Sequence, residues 1–452
     1  MEANNHGMEP LRDGVRRGDE QSLLQSIEHL HPADAAEKLA QLTPQEVARC
    51  VEIIGAERAL AVFEFLPFEI QKEALSFLGR ETLGRLITLM RPDERADLVE
   101  ELDESFRERL LSLLIQAERQ NLLKLLTYPE DSAGAYMTTD YALLRAHTSV
   151  RQALDELRLQ APKKETIYYA YVVDAHRRLI GIVSLRDLIM ARPDSLVDDI
   201  MYRNVISVHV DQDIEEVAQE MVHYDFLAMP VVDGEGRLVG IITYDDIFDV
   251  MTEAATEDMY LLANLDTDDK VTSSIPRSVK LRAPWLLVNL GTALVASYMV
   301  SLFSETISRF VVLASLMPLV AGLGGNAGTQ SLTVVVRALA LGEIKTKGTW
   351  KVVLRQAAVG WCNGALCGLV LALITYAWHR NVWLAGIMWM ALILNMIVAG
   401  TLGALVPIAL RKLKLDPALG SSIFVTAATD TGGYFFLLGL ATLFLQEIVL
   451  HG

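Results

Sequence analysis

The sequence predicts a multidomain chain: an all-α helical amino-terminal domain, an α/β unit built on an internal duplication, and a five-helix α transmembrane domain. Three observations carry that reading. Residues 21–126 place apolar side chains at three- and four-residue spacing with few β-branched clusters. Residues 172–187, VVDAHRRLIGIVSLRD, recur as VVDGEGRLVGIITYDD at 231–246. Finally, residues 284–303, 310–336, 356–378, 382–410 and 418–446 are apolar runs, each long enough at 1.5 Å per residue to approach or exceed a hydrocarbon core of about 30 Å.

At 452 residues and 52% hydrophobic, the chain exceeds what one core can organise. Its net charge of -17 hides a division. Residues 278–452 hold 12 Lys and Arg against 5 Asp and Glu, or +7, which leaves -24 on residues 1–277. An acidic soluble half joined to a membrane half argues against nucleic acid as a partner and for cations. Cys50, Cys362 and Cys367 have neither disulfide nor metal-ligand spacing. The polar start, MEANNHGMEPLRDGVRRGDE, does not have the form of a signal peptide, so the soluble half is expected in the cytoplasm.

In the first domain, residues 1–127, Pro32, Pro44, Pro67 and Pro92 stand just inside expected helix starts, often with an acid following, as in Arg91-Pro92-Asp93-Glu94. The array is either a scaffold or an acidic surface that meets another domain across bridging cations. Tyr128-Pro129-Glu130-Asp131-Ser132-Ala133-Gly134 ends the helical pattern. The duplicated unit, residues 128–243, has copies at about 137–190 and 201–250. Each reads helix, strand, turn, strand, helix, and the first is five residues longer.

The copies resemble a tandem pair of CBS domains, whose Gly-x-x-Ser/Thr-x-x-Asp signature stands here as Gly181, Ser184, Asp187 and as Gly240, Thr243, Asp246. The resemblance implies an adenosine nucleotide, ATP, between the copies. Asp187 and Asp246 would take ribose hydroxyls, Ser184 and Thr243 the phosphate or the turn, and Tyr169 and Phe226 would stack on the base, with Arg186 alongside. The bland alternative is that the signature acids cap helices.

A long helix is expected from Tyr244 to Leu265 within a connecting segment, residues 244–275. Asp246, Asp249, Glu253 and Glu257 fall on one face at spacings of three, four and four. Such a ladder is either a solvated face or one neutralised by a bound cation. In the membrane domain, residues 276–452, basic residues set the topology. Arg277, Lys280, Arg282, Arg337, Lys345, Lys347, Lys351, Arg355, Arg411, Lys412 and Lys414 lie on one side and Arg309 and Arg380 on the other. This puts the amino terminus inside and the carboxyl terminus outside.

Two spans carry chemistry. The second contains PLVAGLGGNAGTQ, in which Gly324, Gly325 and Gly328 are expected to unwind or thin the helix while Asn326 and Gln330 add side-chain oxygens. Close helix packing by small residues is the alternative. The fifth contains Asp430, with Thr426 one turn before and Gly432 and Gly433 just after. An acid near a bilayer centre costs about 2.5 to 3.5 kcal/mol on insertion scales, so it should face protein, water or a cation. Neutral oxygens around one carboxylate suit Mg²⁺.

The whole order of domains, with PLVAGLGGNAGTQ, YPEDSAG and Asp416-Pro417-Ala418 leading to Thr426 and Asp430, resembles the MgtE family of magnesium channels and transporters. The resemblance spans nearly the full chain and departs from the family's pattern at Ile423, where a proline is expected. It implies a homodimer in the inner membrane with a pore lined by the second and fifth spans and Asp430 of both subunits facing one largely hydrated Mg²⁺. It further implies feedback, in which Mg²⁺ bound by Asp225, Asp246, Asp249, Glu253, Glu257, Asp258 and Asp416, with partners among Asp93, Glu94, Asp97, Glu100 and Glu101, closes the pore. Transport of Mn²⁺ or Co²⁺ and a CBS-regulated sensor are the competing readings. A membrane metalloprotease is disfavoured, since no His-Glu-x-x-His occurs.

Overall fold

The computed structural model describes residues 9–271, 273–344 and 348–444. The predicted end of the fifth span at Gln446, and the loop lysines Lys345 and Lys347, lie outside the described residues. The chain divides into two compact units, Met1–Met251 and Thr252–Gly452.

The first unit begins with ten short helices, α1 (Glu9–Arg17) to α10 (Gln116–Leu125), among the described residues. Proline sets several starts, because its missing N–H falls where a helix has no acceptor anyway. Thus α3 is Pro32–Leu39, α4 is Pro44–Ile54 and α8 is Pro92–Glu100, while Pro67 caps α6 (Phe68–Phe77). On α4 the Thr43 hydroxyl and Glu46 carboxylate close a reciprocal capping box. The polar opening had concealed α1, whose Leu11 and Val15 are buried in the first core.

Each duplicated copy contains one strand more than the sequence predicted. In the first, β1 (Tyr141–Arg145) lies parallel to β2 (Thr166–Val173), which is antiparallel to β3 (Leu179–Ser184). In the second, β4 (Val208–His209), β5 (Ala228–Val232) and β6 (Leu238–Thr243) repeat that order. The extra residues of the first copy follow α11 (Val150–Gln160) and include a 3₁₀ turn, Ala161–Lys163. The copies exchange their leading segments: Thr138 bridges Ile241 of the second, and Tyr202 bridges Ile182 of the first. Both signature glycines admit this exchange. A Cβ on Gly181 would stand 2.4 Å from the Met201 sulfur, and one on Gly240 would stand 2.6 Å from that of Met137. The unit ends in α15 (Tyr244–Leu262), which runs on into the second unit.

Among its described residues the second unit holds five helices long and apolar enough to cross a membrane: α16 (Ile275–Ser301), α18 (Val312–Ala340), α19 (Thr349–His379), α20 (Val382–Lys412) and α21 (Ser421–Leu443). A short α17 (Ser304–Arg309) follows the first of them. Helix α20 sits centrally and packs on α18, α19 and α21. Lipid tails supply no hydrophobic drive between helices, so close backbone approach must hold them. Gly360, Gly364 and Gly368 of α19 provide it: Cβ atoms there would meet the Met396 carbonyl at 2.2 Å, the Ile393 Cα at 2.7 Å and the Trp389 ring at 2.8 Å. Gly400 of α20 returns the contact on the Gln356 carbonyl at 2.3 Å.

Gly360→Ala is therefore expected to force α19 from α20 and cost about 1 to 3 kcal/mol, seen as a lower apparent Tm in detergent. Gly386→Ala, where a Cβ meets nothing within 4 Å, should melt like the wild type.

Candidate ion path and acidic clusters

Helix α18 remains regular from Val312 to Ala340, so the predicted unwinding does not occur. The glycines serve packing instead, which corrects the expectation that Gly324 and Gly328 line a path. Both are buried, and Cβ atoms on them would stand 2.1 Å from Asn395 Nδ2 and 2.4 Å from Val425 Cγ1. Gly325 is half-buried beside Thr429. The same helix leaves Gly322, Asn326 and Gln330 exposed, one turn apart on one line. Asn326 and Gln330 carry carboxamides on that line, and Thr329 is exposed beside them with its hydroxyl turned back to the Gly325 carbonyl.

On α21, Val425 and Gly433 pack against α18, while Thr426 and Asp430, one turn apart, are half-buried. The Thr429 hydroxyl is turned back to the Thr426 carbonyl at 3.0 Å. Asp430 has no hydrogen-bond or ion-pair partner among the described residues, so it caps nothing and ties no neighbouring helix. The departure at Ile423 is absorbed quietly. Its side chain is buried, and α21 starts at Ser421 after Gly420 in the left-handed region.

The connecting helix ends against the membrane helices. Leu261 and Leu262 pack on Leu332 and Val336 of α18 and on Ala418, and Asn264 donates to the Ser422 hydroxyl of α21 at 2.8 Å. Nearby, burial first and then Asp416 and Glu257 push the Asp258 carboxyl up to about 6. Asp416 itself is exposed and accepts from the Ala418 N–H at 2.6 Å. Asp269, nearly inaccessible, accepts from Ser278 at 2.7 Å and Arg282 at 2.5 Å, which anchors the connection to α16. Sequence reasoning passed over Asn264, Ser422 and the Asp269 anchor. For Asp269 the signal was present in the basic residues thirteen positions on.

A second acidic cluster lies within the first unit. Asp246, at the start of α15, accepts from the Thr243 hydroxyl at 2.5 Å. Across from it stands Asp93 of α8, 6% exposed and with Oδ1 unbonded. Burial, then Asp246, push the Asp93 carboxyl up to about 7, against the opposing effect of Arg91. Burial likewise pushes Asp246 up to about 6 despite the Thr243 bond. Beside them Arg91 pairs with Glu94 at 2.5 Å and Glu165 of β2's approach at 2.8 Å, joining the helical domain to the first copy. Of the candidate partners, the fold thus brings Asp93 and Asp97 to Asp246; burial first, then Glu94, Glu100 and Asp246, push the Asp97 carboxyl up to about 7. Asp249, Glu253 and Glu257 are exposed along α15. Asp225 caps α14 (Ile214–Tyr224) with φ 54, and the Leu227 carbonyl two residues on takes the Tyr244 N–H that opens α15. Among the described residues, no three His, Cys, Asp or Glu side chains converge to hold a metal alone.

The nucleotide candidates fall into two equivalent places. Tyr169 lies opposite Ser184 on β2 and β3, and Ser184 bonds Asp187 at 2.6 Å with Arg186 exposed beside them. In the second copy Phe226 is stacked on Tyr224, with ring centroids 5.5 Å apart, and Asp246 belongs to the acidic cluster. The first copy's set is the freer of the two for a ligand.

Five spanning helices, a soluble half with a CBS pair and an unpaired acid inside the membrane define a multi-pass membrane transporter. A family model described as a divalent cation transporter matches residues 317–440, the MgtE intracellular N domain matches 30–131, and the CBS domain matches 133–194 and 197–253. The magnesium transporter MgtE of Bacillus subtilis is 34% identical over 438 residues, 97% of this chain and 96% of its own. That of Thermus thermophilus is 35% identical over 443 residues, covering 97% and 98%. The soluble part of a magnesium transporter superposes with TM-score 0.52 at 34% identity, over 56% of this chain and 99% of that one. The cytosolic domain of the Mg²⁺ channel MgtE in complex with ATP gives 0.51 at 38% identity, over 53% and 98%. The chain belongs to the MgtE family, whose members are transporters and not enzymes.

Asp93 and Asp246, two of the raised carboxyls, have a consequence for stability. Their folded-state values lie above the ordinary 3.8, so the folded unit holds protons that the unfolded chain releases. This contribution is fully present below about pH 4 and is lost as pH rises through 6 to 7, a change on the order of a few kcal/mol. In EDTA, calorimetry should show the soluble unit melting lower at pH 8 than at pH 5, and Asp93→Asn should flatten that slope.

Proposed function

We propose that this chain carries Mg²⁺ into the cell as a homodimer in the inner membrane, with its soluble half and amino terminus cytoplasmic and its carboxyl terminus outside. The ion path runs along the exposed line of α18 and the Thr426–Asp430 line of α21. The observation that carries this reading is Asp430, an unpaired carboxylate in mid-span whose charge a passing dication and a second subunit's acid would offset. A hydrated Mg²⁺ needs few direct ligands, because it gives up its waters reluctantly. One carboxylate per chain with the neutral oxygens of Asn326, Gln330 and Thr426 therefore suits it, and Gly325 leaves room between the helices. The all-oxygen character favours Mg²⁺ over Mn²⁺ or Co²⁺.

The gate follows from like-charge repulsion. Asp93 opposite Asp246, and Asp258 opposite Asp416, are pairs that resist close approach until a cation neutralises them. Cytoplasmic Mg²⁺ bound there, with Asp225, Asp249, Glu253 and Glu257 contributing charge, draws α15 onto the start of α21 and closes the path. Because Asn264 and Leu261 already touch that region, the ligand need only shift an existing equilibrium by its differential affinity. ATP between the CBS copies, at Tyr169, Ser184, Arg186 and Asp187, would modulate the same equilibrium. The similarity to a domain solved with ATP supports it.

In proteoliposomes, Asp430→Ala should abolish Mg²⁺ flux; normal flux with unchanged ion preference would sink the path assignment. Asp258→Asn should raise the cytoplasmic Mg²⁺ concentration that halves the flux by about tenfold while the open-state flux stays near wild type. An unchanged closing concentration would remove the Asp258–Asp416 pair from the gate.

A further inference from the structure

Asn395 lies in the middle of α20 with 0% exposure. Its Nδ2 donates to the Val320 carbonyl of α18 at 3.0 Å, and its Oδ1 has no partner. Three glycines on the two neighbouring helices clear the space it occupies. A Cβ would stand 2.1 Å from Nδ2 at Gly324 and 2.8 Å from it at Gly433, and 3.4 Å from Oδ1 at Gly432. One carboxamide is thus wedged between α18 and α21, at the point on α21 two and three residues beyond Asp430.

A leucine of similar size would fill this gap without burying an unpaired oxygen. Val320 would lose little, since a mid-helix carbonyl already serves its own ladder. The carboxamide therefore costs stability where it stands. What it supplies is a directional hold on α18 and a vacant acceptor against the glycine backbone of α21. We propose that Asn395 is a positioning residue for the ion path: it sets the spacing and register of α18 and α21 beside Asp430 and so the discrimination among divalent ions. This rests on the reading that Asp430 borders the path.

The test uses the full-length protein in proteoliposomes, with Mg²⁺ and Ca²⁺ flux each measured over a concentration series and melting followed in detergent. Asn395→Leu is expected to keep or raise the apparent Tm while maximal Mg²⁺ flux and the Mg²⁺ to Ca²⁺ ratio each fall about fivefold, the size expected for one lost buried hydrogen bond. Wild-type flux and ratio would overturn the proposal, and so would a flux that falls only together with the Tm, the mark of a merely structural residue. If Asn395→Leu does not fold, Asn395→Ser decides by the ratio alone, a lowered value supporting the proposal and a wild-type value overturning it. Asp430→Ala is run beside them. If it conducts normally, the path reading fails whatever Asn395 does; if it is inactive while Asn395→Leu is normal, only the positioning role falls.

Discussion

A carboxylate held at the depth of hydrocarbon must be offset by something, and among the described residues Asp430 has no basic or hydrogen-bonding side chain to do it. Much of the membrane unit can be understood as the means of keeping that acid in place. The helix that carries it packs against α18 through glycines and small side chains, which brings the two backbones close without filling the space beside the acid. Helix α20 stands behind both, and α19 is pressed on α20 through Gly360, Gly364, Gly368 and Gly400. This seam packs the helix behind the pair closely against α19.

The soluble half applies the same physics with the opposite purpose. In the membrane unit an acid stands without a partner among the described residues; in the first unit like charges face one another. Asp93 is buried against Asp246 although both are acids, and Arg91, itself engaged by Glu94 and Glu165, relieves the cluster together with the Thr243 hydroxyl that bonds Asp246. At the other end of α15, Asp258 is in the same position toward Asp416. The helix thus has like charge at both ends, and its last turn is seated against α18 and α21 by Leu261, Leu262 and Asn264.

Much of this was legible along the chain because it is local. Proline at helix starts, the repeated strand-turn-strand pattern and the length of five apolar runs each depend on near neighbours, and the observed elements follow them closely. The added strands β1 and β4 were not legible, since each pairs with a strand 23 to 28 positions further along its own copy. The glycines of α18 were misjudged for a related reason. Glycine permits either an unwound helix or a close neighbour, and the positions of Asn395 against Gly324 and of Val425 against Gly328, both far away in sequence, select the second.

By itself the sequence determined the class of fold, the spans, the family and the presence of one acid where membranes exclude acids, because hydropathy, periodicity and charge are properties of the chain in order. Only the tertiary structure decided which acids confront one another, which side chains stay exposed on α18, and that the Asn395 carboxamide is buried between α18 and α21. Those depend on distances between residues remote in sequence, and packing in three dimensions sets them.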